Sequence, residues 1–180
     1  MLVLADVPFW AWGFKAAQYA KHLAVDFDIT IAYHGTFADY DLLDYDLIHL
    51  FEVSQLRAIP PRLEFKRPVL AGLTAMVWWT WGEEQMRAWM SRVVGLHGNS
   101  VMLTDQLRQF HPTVYYTPNG VDADFWSREH VGAHARAGEF TVCHIGKPNP
   151  RKGAPLIIEA CSRVHVRLLL VQRTSKIMYT

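Results

Sequence analysis

The sequence predicts an α/β protein: a doubly wound, mainly parallel, Rossmann-like sheet followed by a second, incomplete Rossmann-like βαβ unit. Short segments of strand character alternate along the chain with segments of helical periodicity. Regular strand–helix alternation is typical of doubly wound sheets. A chain of 180 residues suffices for one well-buried domain of this kind and is too short for two full ones.

Each element of the first domain is predicted from a local pattern. Apolar runs and apolar–polar alternation predict strands at residues 2–6, 27–33, 47–51, 68–73 and 114–117. Apolar residues at helical spacing predict helices at residues 14–24, 83–94 and 101–110, the last capped by Asn99 or Ser100. Residues 93–96 also have the composition of the start of a further strand. We place this domain at residues 1–121.

The end of the chain shows the same alternation once more. A polar connector at residues 122–138 has no clear periodicity, and residues 139–180 then form the second domain. Within it we expect a buried-type strand at 140–145, a helix at 154–163 and a strand at 166–171. One βαβ unit cannot bury both faces of its strands, so it should pack on the first domain, pair with another chain or begin a longer domain. The last of these is favoured.

Composition and charge narrow the classes of function. The net charge is +1 and 51% of the residues are hydrophobic, which gives no global attraction to nucleic acid. The apolar runs are too short to span a bilayer, and the first of them meets Asp6 at once, unlike the core of a signal peptide. These observations predict a cytoplasmic globular protein that does not bind nucleic acid.

A turn separates the two predicted domains. The strand at residues 114–117 is followed by Pro118, Asn119 and Gly120, which are turn residues, so the strand must stop there. Asn119 is therefore a candidate cleft residue at the junction.

A basic loop follows the first strand of the second domain. Gly146 permits a sharp turn, Lys147, Arg151 and Lys152 supply three cations, and Gly153 precedes the predicted helix. A helix N-terminus flanked by cations favours a phosphate group. The alternative is an ordinary solvated basic loop.

These two segments resemble motifs of one family. TPNGVDADFW, residues 117–126, resembles the inter-domain signature of the retaining family-four glycosyltransferases, in which Pro-Asn-Gly-Val-Asp and a nearby aromatic join the two Rossmann-like halves of the GT-B fold. HIGKPNPRKG, residues 144–153, is similar to that family's next motif, whose two cations hold the donor's diphosphate. The two motifs stand in the family's order and spacing, although either alone would be weak.

The resemblance implies transfer of a sugar from a nucleotide-sugar donor to an acceptor hydroxyl group with retention. It implies donor-diphosphate contacts at Gly146, Lys147, Lys152 and Gly153, with Arg151 a weaker candidate. The cations would stabilise the departing diphosphate, so no metal or other cofactor is required. The acceptor, a carbohydrate or a lipid-linked molecule, is expected on the first domain.

The family's cleft suggests further candidates in the loops that follow the strands. Trp10, Trp12 and Gly13 follow the first strand, in a loop that in the family is often Gly-rich and approaches the donor phosphates; here Gly13 is its only glycine. The indoles of Trp10 and Trp12 would stack on a sugar or acceptor, or simply cover the first helix. Thr74 stands where the family often carries a cleft histidine. Trp78, in a tryptophan-rich stretch, would form an acceptor surface or a weak contact with the inner membrane face.

Other interpretations stay open. The chain covers about the first half of a typical family member, and no acidic residue follows Glu159 to serve as the family's donor-binding glutamates, so little turnover is expected from it alone. It is then a half-enzyme completed by a second polypeptide or a homo-oligomer, or a degenerate fragment. An unrelated nucleotide-binding domain is disfavoured because no Gly-x-Gly-x-x-Gly run follows the first strand. His49 is predicted to be a hydrogen-bonded histidine at a strand end.

Overall fold

A computed structural model of the chain describes residues 1–60, 62, 66–75, 81–124, 126–127, 140–146 and 150–171. The chain divides into two compact units, Met1–Gly120 and Val121–Thr180. Trp78, Lys147 and most of the predicted connector lie outside the described residues.

The first unit alternates strands with helices, as the sequence predicts. Its described strands are β1 (Leu2–Ala5), β2 (Thr30–Tyr33), β3 (Ile48–Leu50), β4 (Val69–Leu73), β5 (Gly95–Gly98) and β6 (Val114–Tyr116). Its described α-helices are α1 (Ala11–His22), α2 (Glu83–Met90) and α3 (Val101–Leu107), and short 3₁₀ helices include Val53–Ala58. All six strands are parallel and lie in the order β2-β1-β3-β4-β5-β6.

Both faces of this sheet carry helices. On one face α1 packs over the central strands, and a small apolar cluster there contains Val3, Ala5, Ala16 and Phe51. On the other face α2 and α3 contribute to a larger core that includes Leu4, Ile48, Leu50, Met86 and Leu103. The doubly wound, Rossmann-like fold predicted from the sequence is therefore confirmed.

Several element boundaries differ from the predicted ones, and three of the differences follow from specific contacts or turns. Helix α1 begins at Ala11 rather than at residue 14. Strand β2 begins at Thr30 rather than at residue 27, because the Phe27 N–H donates to the Leu23 carbonyl and closes the turn after α1. The strand expected at residues 93–96 is Gly95–Gly98, since the Val93 N–H still bonds the Met90 carbonyl at the end of α2.

The second unit contains one βαβ motif. Strands β7 (Thr141–Ile145) and β8 (Arg167–Val171) pair in parallel, and α4 (Ala154–Arg163) connects them. The expectation of a buried strand here is wrong: Ile145 is 78% exposed. One helix covers only one face of a two-stranded sheet, so the side chains on the other face stay exposed.

Among the described helices, none combines the length and the apolar character needed to cross a lipid bilayer.

Candidate functional site

The strand order places a crevice at one edge of the first sheet. The chain goes from β1 outward to β2 and then returns to place β3 on the other side of β1. In open parallel sheets, ligands bind outside the carboxyl ends of the strands at this point of reversal. The candidate site of the first unit is therefore built from the loops that follow β1 and β3, together with those after β2 and β4.

The loop after β1 folds tightly against the start of α1. The Gly13 N–H donates to the Asp6 carboxylate over 3.2 Å, and a Cβ at Gly13 would lie 2.5 Å from the Val7 carbonyl oxygen. Glycine is needed here for close approach of the backbone. Since its N–H is already bonded to Asp6, Gly13 is not set to donate to a phosphate group, the role that its position in the family pattern suggests.

The two tryptophans of this loop have different surroundings. Trp12 stacks on Phe51, with ring centroids 6.4 Å apart and planes 19° apart, and meets the His34 ring edge-on at 6.3 Å. Trp10 is 50% exposed. Trp12 also lines a cavity of about 220 Å³ together with Leu4, His34, Phe37, Ser54, Gln55, Arg57 and Ala58. Trp12 is thus partly core and partly cavity wall, whereas Trp10 presents its indole to solvent.

A buried carboxyl group at the end of β3 is the most unusual feature of this edge. Glu52 is only 5% exposed. Its Oε2 accepts hydrogen bonds from the Thr74 N–H at 3.4 Å and from the Thr74 hydroxyl at 3.5 Å. Its Oε1 is buried and accepts no hydrogen bond from the residues that the structure describes. Burial raises the pKa of Glu52 to about 7, although the hydrogen bonds from Thr74 and from the Val53 backbone oppose the increase.

A hydrogen-bond network holds Glu52 in place. Its N–H donates to the side-chain oxygen of Gln55 over 3.0 Å, and the Gln55 amide nitrogen lies 3.3 Å from the Leu4 carbonyl and 2.7 Å from His34 Nε2. On the other side the Asn99 side chain donates to the Thr74 carbonyl over 3.3 Å. The network thus connects residues at or just after the carboxyl ends of all five strands from β1 through β5. A carboxyl group held in this way, with a pKa near neutrality, is typical of a functional site.

The raised pKa of Glu52 predicts how the substitution Glu52→Gln changes the stability of the protein. Between about pH 4.5 and 7 the folded state holds a proton that the unfolded state has released. The stability that the protonated Glu52 carboxyl provides is complete below pH 4.5 and is lost as the pH rises through 7, because above pH 7 the folded state must bury a carboxylate anion. We expect Glu52→Gln to raise the free energy of unfolding at pH 8 by about 2 to 3 kcal/mol and to change it little at pH 5. Urea denaturation at the two pH values measures this, and an equal effect at both would contradict the raised pKa.

Two histidines form a second buried polar group on the α1 side of the sheet. His49 on β3 and His97 on β5 bring their Nε2 atoms within 2.9 Å, so one ring donates a hydrogen bond to the other. His97 Nδ1 lies 3.0 Å from the Thr117 hydroxyl. The rings meet across β4 because Gly72 has no side chain there. Thus His49 is hydrogen-bonded, as predicted, but to a residue two strands away.

Burial also determines the charge of this pair. Burial lowers the pKa of His49 to about 3, and the neighbouring His97 ring lowers it further. Burial lowers the pKa of His97 to about 4, and the Lys15 ammonium group adds to this effect. Both rings are neutral at pH 7. They line a cavity of about 160 Å³ with Tyr19, Leu70, Leu96, Tyr115 and Thr117.

The predicted phosphate loop has the expected backbone in the part that is described. Gly146 ends β7 with a φ of 143°, and Gly153 precedes α4 with a φ of 71°, both values that favour glycine. Lys152 is exposed and lies in the 3₁₀ turn Pro150–Lys152, directly before the N-terminus of α4. Lys147 falls outside the described residues, so the second cation of the predicted pair has no position here.

The sequence-predicted cleft residues are not equivalent in the structure. Thr74 joins the crevice through its bonds to Glu52, whereas Asn119 is exposed in an irregular segment near the end of the first unit, where the sequence predicts a turn. Glu52 was missed by the sequence reasoning. The available signal was an acidic residue directly after the buried strand predicted at 47–51, since strand ends of parallel sheets carry ligand-binding residues.

Together, the fold and this edge of the sheet define a Rossmann-like α/β protein with a polar crevice at the point where the strand order reverses. Comparison of the chain with models of protein families, with curated protein sequences and with solved structures finds no match.

Proposed function

We propose that the chain belongs to a retaining glycosyltransferase that transfers a sugar from a nucleotide-sugar donor to an acceptor hydroxyl group. The first unit binds the acceptor, and the second unit binds the donor's diphosphate. No metal is required, because lysine side chains and the N-terminus of α4 stabilise the departing diphosphate. The reaction takes place in the cytoplasm or at the inner membrane face.

One observation carries this proposal. The two sequence motifs at residues 117–126 and 144–153 stand in the family's order, and the place of each in the fold supports the proposal. The first spans the division between the two compact units at Gly120, and the second runs from β7 to the start of α4. A strand, a loop with glycine at each end and a following helix form a typical phosphate-binding arrangement.

The exposed surface beside the crevice suits the proposed acceptor. Phe9 and Trp10 are 60% and 50% exposed in the loop after β1. Aromatic rings of this kind stack on the apolar faces of sugars and also contact lipid at a membrane interface. The acceptor is accordingly a carbohydrate or a lipid-linked molecule, the latter with weak association of the protein with the membrane.

A second candidate function is a half-enzyme that another polypeptide completes. It is supported by the exposed apolar side chains of the second unit, among them Ile145, Leu156 and Leu169 at 78%, 71% and 49% exposure. A further segment or a partner chain, identical or different, would cover these side chains and supply the acidic donor-binding residues.

Nucleotide binding tests the proposed diphosphate site. We expect UDP, GDP or ADP to raise the melting temperature of the native chain, because a ligand at a hundred times its dissociation constant stabilises by about 2.7 kcal/mol. Lys152→Ala should lose most of this increase, since it removes a cation next to the N-terminus of α4. The measurement is a thermal shift titration with each nucleotide.

Lys66→Ala is the matched control, because Lys66 is an exposed lysine of the first unit. It should respond to nucleotide like the native chain. A native chain that none of the three nucleotides stabilises would count against the proposed function, and equal responses of Lys152→Ala and Lys66→Ala would remove Lys152 from the site.

A further inference from the structure

The hydroxyl group of the half-buried Thr74 lies beside the buried Glu52 carboxyl, at the edge of the sheet where the strand order places the crevice. Thr74 directly follows β4, and its hydroxyl and N–H both lie within 3.5 Å of Glu52 Oε2. A carboxylate only accepts hydrogen bonds, so the Thr74 hydroxyl must use its single proton on Glu52. The lone pairs of that hydroxyl are then left to accept a hydrogen bond from a ligand.

Hydrogen bonds from neighbouring groups hold both members of this pair in place. The Thr74 carbonyl accepts from Asn99, and the Glu52 N–H donates to Gln55, which also contacts Leu4. Both backbones are thereby fixed on neighbouring strand ends. Polar groups that are already in position lower the energy of a transition state most strongly where charge develops or a proton is transferred.

Among the described residues, no cation contacts the Glu52 carboxyl group within this network. Its hydrogen-bond partners are the Thr74 hydroxyl and backbone N–H groups, and His34 contacts Gln55 rather than Glu52. A carboxyl group without a cationic partner in a dry position binds a proton readily, which is what a proton acceptor requires.

We propose that Glu52 and Thr74 form the subsite that binds the acceptor's hydroxyl group and receives its proton, an inference that rests on the proposed glycosyl transfer. The acceptor hydroxyl donates its hydrogen bond to Thr74 Oγ1. Thr74 stands where the resembled family often carries a histidine, and here the threonine and the glutamate together supply the proton acceptor.

The proton balance of the step is complete. The acceptor oxygen forms a bond to the anomeric carbon on the face from which the diphosphate departs, as retention requires. The bond from that carbon to the diphosphate oxygen breaks at the same time, and the diphosphate leaves with the electron pair. The acceptor's proton moves to Thr74 Oγ1, and the proton of Thr74 moves to Glu52 Oε2. The carboxylic acid then releases its proton to solvent, which its pKa near neutrality permits.

Binding of simple glycosides tests this subsite without requiring turnover. The probes are methyl glycosides of glucose, mannose and galactose, and binding is followed by NMR at pH 6 and pH 8 with the full chain. We expect the dissociation constant of the glycoside to be about fivefold higher at pH 6, where Glu52 is protonated, than at pH 8. A fivefold change corresponds to the loss of about one ordinary hydrogen bond. Glu52→Gln should remove this pH dependence, Thr74→Val should abolish binding and Thr74→Ser should retain it.

The outcomes separate this subsite from the proposed function. Failure of every glycoside to bind the native chain, or an unchanged pH dependence in Glu52→Gln, would overturn the assignment of the pair. Far-UV circular dichroism and cooperative urea unfolding of Glu52→Gln and Thr74→Val, measured in parallel, show whether both variants are folded, and nucleotide stabilisation is measured on the same samples. If glycosides bind as expected but no nucleotide stabilises any variant, the transfer step is overturned together with the proposed function.

Discussion

Replacing Gly72 with alanine is expected to destabilise the first unit by about 3 kcal/mol or more. A Cβ at this position would lie 2.5 Å from His97 Cε1 and 2.6 Å from the Phe51 carbonyl oxygen. The histidine ring has little room to move, and the carbonyl belongs to the backbone beside β3, so the sheet itself must shift. Overpacking of a core usually costs about 1 to 3 kcal/mol, and a fixed backbone clash lies at the upper end.

Urea denaturation of Gly72→Ala and of Gly35→Ala measures this cost. A Cβ at Gly35 would meet no atom within 4 Å, so Gly35→Ala introduces the same methyl group without a clash. We expect the control to unfold close to the native midpoint. Equal midpoints for the two variants would show that β4 and His97 do not approach each other as closely as described.

Acid is expected to destabilise the first unit through the histidine pair. Because the pKa values of His49 and His97 are lowered to about 3 and about 4, the unfolded state takes up protons below pH 6.5 that the folded state does not. The stability that the neutral pair provides is complete above about pH 6.5 and is lost as the pH falls toward 4. In that range each histidine should lower the free energy of unfolding by about 1.4 kcal/mol for each pH unit of acidification.

Glu52 opposes this acid dependence between about pH 4.5 and 7, since there the folded state holds the proton of its carboxyl group. The clearest measurement is therefore the slope of the free energy of unfolding against pH for native protein and for His49→Gln. The glutamine amide can still hydrogen-bond His97 but cannot take up a proton. The slope of the free energy of unfolding should therefore fall by about 1.4 kcal/mol per pH unit, the contribution of one proton. His22→Gln, at the exposed end of α1, controls for replacing a histidine as such. Identical slopes for native protein and His49→Gln would contradict the lowered pKa.

The strand and helix order could be predicted from the sequence because it depends on local periodicity. Residues 47–51 read as a buried strand, and Ile48, His49 and Leu50 are indeed buried. Element ends were less accurate, since they depend on single hydrogen bonds such as that from Phe27 to Leu23. The composition of residues 140–145 suggests a buried strand, but side-chain burial depends on what packs against the strand, and one βαβ unit leaves a face of β7 exposed.

The candidate site was only partly predictable from the sequence, for a physical reason. Thr74 could be selected by its place after a strand, but Glu52 gains its unusual pKa from burial and from Thr74, which is distant in the sequence. The contact of His49 with His97 likewise needs the register of three strands and the small size of Gly72. Single-residue patterns contain no information about such contacts. The predicted roles of Lys152, Gly146 and Gly153 in binding a diphosphate stay predictions.

The order of strands also has a consequence for how the nascent chain can assemble. From β4 onward, each new strand is added beside the one that precedes it in the sequence, and β6 is the last at that edge. Every strand after β1 therefore emerges from the ribosome with a neighbour already synthesised. The sheet can grow outward in the direction of translation, without waiting for a distant C-terminal strand to be inserted at its centre.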